Sequence, residues 1–496
     1  MGIDPNLCYQ ALRTRDPRFD GRFFTAVTTT GVYCRPICPA PTPKPGNVRF
    51  YACAAAAEDA GFRPCRRCRP ETAPGSPAWG GTSAVVSRAL RLIMQGILDE
   101  SSIEELAERL GVGGRHLRRL FLQHLGVAPR AVLRTQRLHI ARQLIDETDL
   151  AMTAIAAAAG FNSIRRFNQA VAETFRDSPT GLRRKARREG SAGGGLAMRL
   201  AYRPPLAWKP LIDFLRLRAI PGVEAVEGDT YRRSIEIDGK SGAIEVMPAA
   251  DGPYLSIRLH LPAMGRLAQV IDRVRRVFDL GADPVRIADD LGADPILKPI
   301  VCALPGLRVP GAWDPFELTV RAVVGQQISV KAATTIAGRL VQRFGRPVDL
   351  KASLKVTHVF PTAETLRSAD LCAIGLTAAR AQTVRNVAAA ACDGRLPRDS
   401  SLGLETVLQT LKTIGGIGAW TAHYIAMRAF GEPDAFPEGD LGLRRALSAG
   451  GSLISNAKLN RMAEAWRPWR AYAAMYLWSR RSLTDVHSMK FERKRQ

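Results

Sequence analysis

The spacing of apolar residues changes along the chain, and the changes divide it. From about Ala84 to Arg188, apolar residues recur three and four positions apart, the period of helices with one buried face. From Leu196 to about Pro310 the signals are mixed. Tyr254-Leu255-Ser256-Ile257-Arg258-Leu259-His260-Leu261 alternates with period two, as do Ser234–Ile237 and Ala243–Val246, which predicts half-buried strands. Leu267 to Phe278 reads as a helix, and from Pro315 onward the helical period returns, broken by Gly and Pro. Glu71 to Ser83 and Ser191 to Gly195 carry no period and are rich in small and turn-forming residues, so both read as linkers. The expected organisation is a multidomain, mainly α protein in four parts: residues 1–75, 84–188, 196–310 and 311–482. No repeat at a fixed period is visible.

Charge narrows the partners. The 71 Lys and Arg against 46 Asp and Glu leave a formal charge of +25. A chain this basic is expected to meet a polyanion, and nucleic acid is the first candidate; an enzyme that is merely rich in arginine is the alternative. Residues 1–190 hold 29 basic and 17 acidic residues, about half of the excess, so both halves are candidates to touch phosphate. No apolar run is long enough to cross a bilayer, and the N-terminus lacks the basic and apolar blocks of a secretory signal. A cytoplasmic, nucleoid-associated protein with no membrane partner is expected.

Four of the nine cysteines fall in two close pairs, Cys34-Arg35-Pro36-Ile37-Cys38 and Cys65-Arg66-Arg67-Cys68. Two knuckles separated by a stretch of chain are how four thiolates close a tetrahedron around one zinc, and in a small module with little apolar core such a staple stabilises the fold. Cys8, Cys53, Cys302, Cys372 and Cys392 have no neighbour at ligand spacing and read as ordinary thiols. The spacing alone leaves open whether the zinc is structural or reactive.

Thr29-Thr30-Gly31-Val32-Tyr33-Cys34-Arg35-Pro36-Ile37-Cys38 and Ala60-Gly61-Phe62-Arg63-Pro64-Cys65-Arg66-Arg67-Cys68 resemble the N-terminal zinc domain of Ada-type methylphosphotriester repair proteins. The resemblance implies that Cys34 accepts a methyl group from a DNA phosphate, once. It implies that Cys38, Cys65 and Cys68 complete the zinc site and that Thr30 and Arg63 contact DNA. The sequence departs from the family after Cys38, where Pro39-Ala40-Pro41-Thr42-Pro43 stands in place of arginines. It also lacks the Pro-Cys-His-Arg motif, so no O6-alkylguanine repair is expected.

Ile103–Val112 followed by Arg115–Phe121 has the form of a helix, a Gly-bearing turn and a basic second helix, a helix-turn-helix. A second copy runs from Ile155–Phe161 into Ser163–Phe175, with a long helix between them from about Val132 to Asp146. Two amphipathic hairpins of an ordinary all-α core would look alike. The pair resembles the AraC-type DNA-binding domain, most specifically in Phe161-Asn162-Ser163, Phe167, Phe175 and Ser178-Pro179. That implies a DNA-reading role for Arg118, Arg165 and Arg166, a promoter operator as target and RNA polymerase as a further partner.

Leu411-Lys412-Thr413-Ile414-Gly415-Gly416-Ile417-Gly418-Ala419-Trp420-Thr421-Ala422 places glycines between two helices, where backbone N–H groups of Gly416 and Gly418 can approach a phosphate. Asp440 follows 22 positions after Gly418 on a Gly- and Pro-flanked loop. Its plain reading is a helix N-cap. Turn and acid together resemble the helix-hairpin-helix glycosylase superfamily, with Asp440 at the catalytic aspartate. The match to 3-methyladenine DNA glycosylase II, the AlkA type, spans about 196–482 and includes Val320–Ser329. It implies an α+β subdomain with a TBP-like antiparallel sheet, then an all-α glycosylase domain. It also implies substrate binding by Trp420, Tyr424 and Trp478, and needs no cofactor. Trp420 occupies the position of the lyase lysine, so hydrolysis by water is expected. Trp469 reads as packing.

The whole therefore resembles an Ada regulatory half fused to an AlkA-type glycosylase. It would be a single-turnover methyl acceptor and methylation-switched regulator joined to an enzyme that excises alkylated bases from double-stranded DNA. A glycosylase with a purely structural N-terminal half, and a regulator with an inactive glycosylase-like part, are the alternatives.

Overall fold

The computed structural model describes residues 4–74, 84–94, 96–188, 197–237, 239–261, 267–399, 403–448 and 452–479. Both expected linkers fall largely outside these residues. The chain forms two compact units: Met1–Pro204 with Ile235–Arg275 and Leu280–Ala282, and Pro205–Ser234 with Arg276–Asp279 and Asp283–Gln496.

In the first unit, a four-stranded sheet runs in the order Val48–Tyr51, Phe24–Val27, Val32–Cys34, Arg63–Pro64. The first three strands pair antiparallel. The last pair is parallel, with Val32 beside Arg63 and Tyr33 beside Pro64. That register carries Cys34 to Cys65, whose N–H donates to the Tyr33 carbonyl at 2.9 Å. Fully buried Tyr33 packs edge-on against Phe24 and gives this small module an apolar centre.

The helical part contains both helix-turn-helix units. Ile103–Arg109 leads into Gly114–Leu125, and Met152–Ala158 leads into Ile164–Phe175. Gly111 and Gly160 make the turns at φ +71° and +78°, a region glycine enters at no steric cost. Ser102 and Glu105 form a reciprocal capping box that starts the first unit. Leu106, Leu117 and Phe121 are fully buried at its centre, and Phe167 and Val171 are so in the second. The long helix runs from Pro129 to Glu147, a little beyond the expected Val132–Asp146, because Pro129 suits the first helical position.

The zinc module is docked on that helix. Ala55 and Ala56 join the apolar cluster of Leu106, Leu117 and Phe121. Glu58 receives hydrogen bonds from Tyr33 and Thr135 and lies 3.4 Å from His139 Nε2. Burial would raise the Glu58 carboxyl, but His139, Thr135 and Tyr33 hold it below its ordinary value. A second patch joins Arg69 to Asp146 at 2.9 Å, with Glu71 and Arg142 completing it.

The α+β part contributes a five-stranded sheet ordered Ala197–Ala201, Tyr254–His260, Lys240–Pro248, Thr230–Ile237, Glu224–Glu227. The alternation over Tyr254–His260 is a strand with alternating burial, as expected. Ser234–Ile237 proves to be the end of a longer strand beginning at Thr230. Its first half carries Arg233, which is buried against Glu224 and Glu317 and so hides the period.

The second unit is mainly helical. Pro315–Val324, Val330–Phe344, Ala378–Cys392, Leu404–Lys412 and Ala419–Ala429 are its principal helices, followed by Leu441–Ala446, Asn456–Glu464 and a helix over 470–479. The buried side of Ala419–Ala429 packs Ala422, Ile425, Ala426 and Ala429 inward. No helix among the described residues is long and apolar enough to cross a membrane.

Candidate active site and metal centre

Leu404–Lys412 and Ala419–Ala429 are the two helices of the hairpin, and residues 413–418 turn between them. Gly416 has φ +96°, and a Cβ there would lie 2.0 Å from Thr383 Oγ1, so no other residue fits. Gln326 donates to the Gly416 carbonyl and to Thr421 Oγ1, both at 3.1 Å, and Asn386 donates to the Gly415 carbonyl at 3.1 Å. These bonds occupy carbonyls and leave donors for a ligand. Gly418 is exposed, open space surrounds its Cβ position, and no side chain caps the helix that follows. An anion is suited to that end of the helix.

The same helix carries Trp420 and Tyr424, one turn apart. Their rings stack at 5.3 Å between centroids and 8° between planes. Trp478, from the last helix, leans on Tyr424 at 6.5 Å and 58°. Asp440 stands where the three elements meet. Trp420 Nε1 donates to Oδ2 at 2.9 Å, and Trp478 Nε1 donates to Oδ1 at 3.0 Å. The Leu443 N–H also donates to Oδ1, at 2.9 Å, so Asp440 is the N-cap of Leu441–Ala446 as well. The N-cap reading therefore holds, and the same carboxylate is met by both indole N–H groups. Gly442 is needed beside it, since a Cβ would come within 2.9 Å of Oδ1 and 3.4 Å of the Trp478 ring.

Beneath the rings lies a cluster with little local signal in the sequence. Arg428 donates to the Tyr424 hydroxyl at 2.8 Å, and Arg218 sits close by. Arg321 is held by Glu224 and Glu317. Burial would raise the Tyr424 phenol, but Arg428 and Arg218, with Arg321 behind them, bring it down to about 8. Trp469, by contrast, is buried at 2% exposure and spends its indole N–H on Asp290, consistent with packing.

At the cysteines, the four thiols lie within 4.8 Å of one another, all buried, and Cys38 and Cys65 are 4.0 Å apart. A tetrahedron of Zn–S bonds of about 2.3 Å has edges of roughly 3.8 Å, so the set fits one zinc. Arg35, between the first two ligands, is fully buried. It binds Asp20 through Nε at 2.9 Å and the Cys68 carbonyl at 3.2 Å. It braces the site rather than reaching for phosphate. Thr30 is exposed in the turn before the strand Val32–Cys34, and Arg63 is half-exposed beside Val32, at the opposite end of that strand from Cys34. Arg66 is drawn to Asp177 at 3.8 Å. The proline segment is tied down, with Arg15 donating to the Pro39 carbonyl at 3.2 Å and Tyr9 to the Pro43 carbonyl at 3.0 Å. In the helix-turn-helix units Arg118, Arg165 and Arg166 are exposed on the second helices, and Arg118 pairs with Glu104 at 2.7 Å.

The chain matches four family models in sequence order. These are the metal binding domain of Ada over residues 7–71, a helix-turn-helix domain over 106–185, the AlkA N-terminal domain over 197–314, and the HhH-GPD superfamily of base excision DNA repair proteins over 320–471. It is 43% identical over 484 residues to the probable bifunctional transcriptional activator/DNA repair enzyme AlkA of Mycobacterium tuberculosis (strain H37Rv), covering 97% of each chain. It is 33% identical to DNA-3-methyladenine glycosylase 2 of Escherichia coli (strain K12), over 56% of this chain and 95% of that one. Among solved structures it is similar to the 3-methyladenine DNA-glycosylase from Archaeoglobus fulgidus. That likeness has a TM-score of 0.51 and 25% identity, over 56% of this chain and 96% of that one.

Proposed function

The chain belongs to the family of bifunctional transcriptional activator/DNA repair enzymes of the AlkA type, and from that premise we propose that its second unit excises alkylated bases by hydrolysis at Asp440. The observation that carries this reading is the Asp440 carboxylate held by two indole N–H groups at the edge of the Trp420–Tyr424 stack. The damaged nucleotide is flipped out of the duplex onto these rings. A base alkylated on a ring nitrogen is cationic, so the aromatic faces favour it over a normal base. As the N-glycosidic bond breaks, the base leaves with the bonding pair and the sugar becomes an oxocarbenium ion. Asp440 stabilises that charge while water adds to C1′ and yields its proton to solvent. The turn with Gly416 and Gly418 grips a backbone phosphate and sets the distance between duplex and pocket. Duplex DNA methylated on purine nitrogens, mixed with the protein, should release free base. Asp440→Asn should release none while still binding DNA. Equal release by that variant would refute the assignment.

The N-terminal half supplies the second activity in this reading. Cys34, Cys38, Cys65 and Cys68 would hold a zinc ion, which would keep the thiols deprotonated, the nucleophilic form. Cys34 Sγ attacks the methyl carbon of a phosphotriester; the C–S bond forms, the C–O bond breaks, and the phosphodiester anion leaves. Thr30, exposed, and Arg63, half-exposed, flank the start of the strand that ends in Cys34 and would supply the phosphate contact. The transfer removes about one negative charge from the zinc site and eases the approach of the helix-turn-helix arginines to an operator. Double-stranded DNA is thus the partner of both halves. Labelled methyl transferred from phosphotriester DNA should appear on Cys34 at one equivalent per chain. Zinc retained with no transfer would leave the zinc purely structural.

A further inference from the structure

His423 lies on the same helix, three residues after Trp420 and one before Tyr424, and is buried at 7% exposure. Its Nδ1 accepts the backbone N–H of Phe436 at 3.2 Å. Its Nε2 lies 4.0 Å from Glu438 Oε1. Phe436 and Glu438 are the first and third residues of the five-residue loop that ends at Asp440. Within that loop the Glu438 N–H donates to the Phe436 carbonyl at 2.8 Å and the Asp440 N–H to the Pro437 carbonyl at 3.2 Å. Gly439, at φ +77°, makes the turn. The loop is therefore pinned to one helix at both ends: at Phe436 by His423 and at Asp440 by Trp420.

We propose that His423 is a positioning residue for Asp440, a neutral imidazole whose Nδ1 lone pair holds the start of the catalytic loop against the helix that carries the base-binding rings. The proposal rests on the glycosylase reading above. Because Nδ1 accepts, the ring proton is on Nε2, directed toward Glu438. Protonating Nδ1 would turn the acceptor into a donor facing a buried N–H, and both would lose their partner. The surroundings oppose that event. Burial, then Arg470 and Lys412, lower the imidazole to about 4. Glu438 is the acid facing it, and Asn460 also holds that carboxylate, at 3.3 Å. Arg470 is itself bound to Asp434 and Glu464. Thr421 and Tyr424, the near neighbours on the same helix, are engaged with Gln326 and Arg428 and offer Phe436 nothing.

The test compares His423→Asn, which keeps an uncharged acceptor that does not titrate, with His423→Leu, which fills space and accepts nothing. Single-turnover release of methylated purines is followed from pH 3.5 to 8 in the full-length protein. Asp440→Asn sets the background, and DNA affinity and thermal melting are measured alongside. His423→Leu should slow release at pH 7 by about tenfold to a hundredfold, the penalty of a misplaced catalytic group, with DNA affinity unchanged. His423→Asn should restore release to within about threefold at pH 7 if the acceptor is what matters. On the acid side the wild type should fall more steeply than His423→Asn, which has lost the imidazole ionisation. Should His423→Leu not fold, the Asn variant and its pH profile decide alone. The proposal is overturned if a folded Leu variant keeps wild-type release, if the Asn variant is as slow as Leu, or if the acid limbs of wild type and Asn superimpose. Wild type releasing no more base than Asp440→Asn would instead sink the glycosylase reading, and this inference with it.

Discussion

The indole N–H of Trp420 donates to Asp440 Oδ2 at 2.9 Å, while the same ring lies flat on Tyr424 at an 8° interplanar angle. In the proposed mechanism this side chain has two jobs, as the floor for a flipped base and as a donor that fixes the acid. The two separate by substitution. Trp420→Phe keeps an aromatic face and deletes the donor. A hydrogen bond to a charged acceptor is worth about 1.5–3 kcal/mol, so single-turnover excision should fall roughly tenfold to a hundredfold while affinity for damaged DNA changes little. Trp420→Leu should weaken both. A Phe variant with unchanged chemistry would show that Trp478 and the Leu443 N–H suffice to hold the carboxylate.

How far the sequence foresaw this site follows from how local each signal is. Asp440 and the glycine turn were legible because each depends on a few adjacent residues, and the structure makes the strongest case at Gly416, where Thr383 leaves no room for a Cβ. The cysteine pairs were legible for the same reason. The parallel pairing of Tyr33 with Pro64 that unites them was not, since it joins segments thirty residues apart. Arg233, Arg321, Glu224 and Glu317 look like surface charge in the sequence, yet they form one buried cluster drawn from three elements. His423 escaped notice because nothing around it spells a motif. Its partner is thirteen residues away and is a backbone N–H.

Stability should carry the mark of Tyr424. Its phenol is brought down to about 8 in the folded protein, against about 10 in an unfolded chain. The folded state therefore releases this proton first. The resulting stabilisation is complete above pH 10 and is lost as pH falls through 8, so at pH 7 it is absent. Between pH 8 and 10 the wild type should gain on the order of 2 kcal/mol relative to Tyr424→Phe. Chemical denaturation of the two proteins at pH 7, 8, 9 and 10 would show it. Parallel curves across that range would mean the three arginines do not ionise the ring.

The docking of the zinc module on the Pro129–Glu147 helix turns on Asp146. This carboxylate is 6% exposed and is bound by Arg69 at 2.9 Å and Arg142 at 3.0 Å. Deleting it leaves two guanidinium groups beside each other with only Glu71 and Glu147 to share. Breaking a buried pair in this way costs about 3 kcal/mol or more. Asp146→Ala should lower the melting temperature and expose the interface to protease, whereas Arg66→Ala, which removes only an exposed side chain and its longer contact to Asp177, should do neither. Limited proteolysis with mass mapping of the first cleavage would check both.

The chemistry should stop at the abasic site. Strand cleavage by a bifunctional glycosylase needs an amine that attacks C1′ and forms a Schiff base. At the position where such a lysine would stand, this chain has Trp420, and its indole nitrogen already donates to Asp440. An indole N–H has no free lone pair to offer as a nucleophile. The nearest lysine in the hairpin, Lys412, is exposed at the end of the preceding helix, before the turn, rather than on the helix that carries the rings. Water is then the expected nucleophile, and the expected product is an intact strand with an abasic sugar. Borohydride added during turnover should trap no protein–DNA adduct, and gel analysis should show cleavage only after hot alkali. A trapped adduct mapping to Lys412 would overturn the hydrolytic route, and would also mean that the turn around Gly416 opens during catalysis.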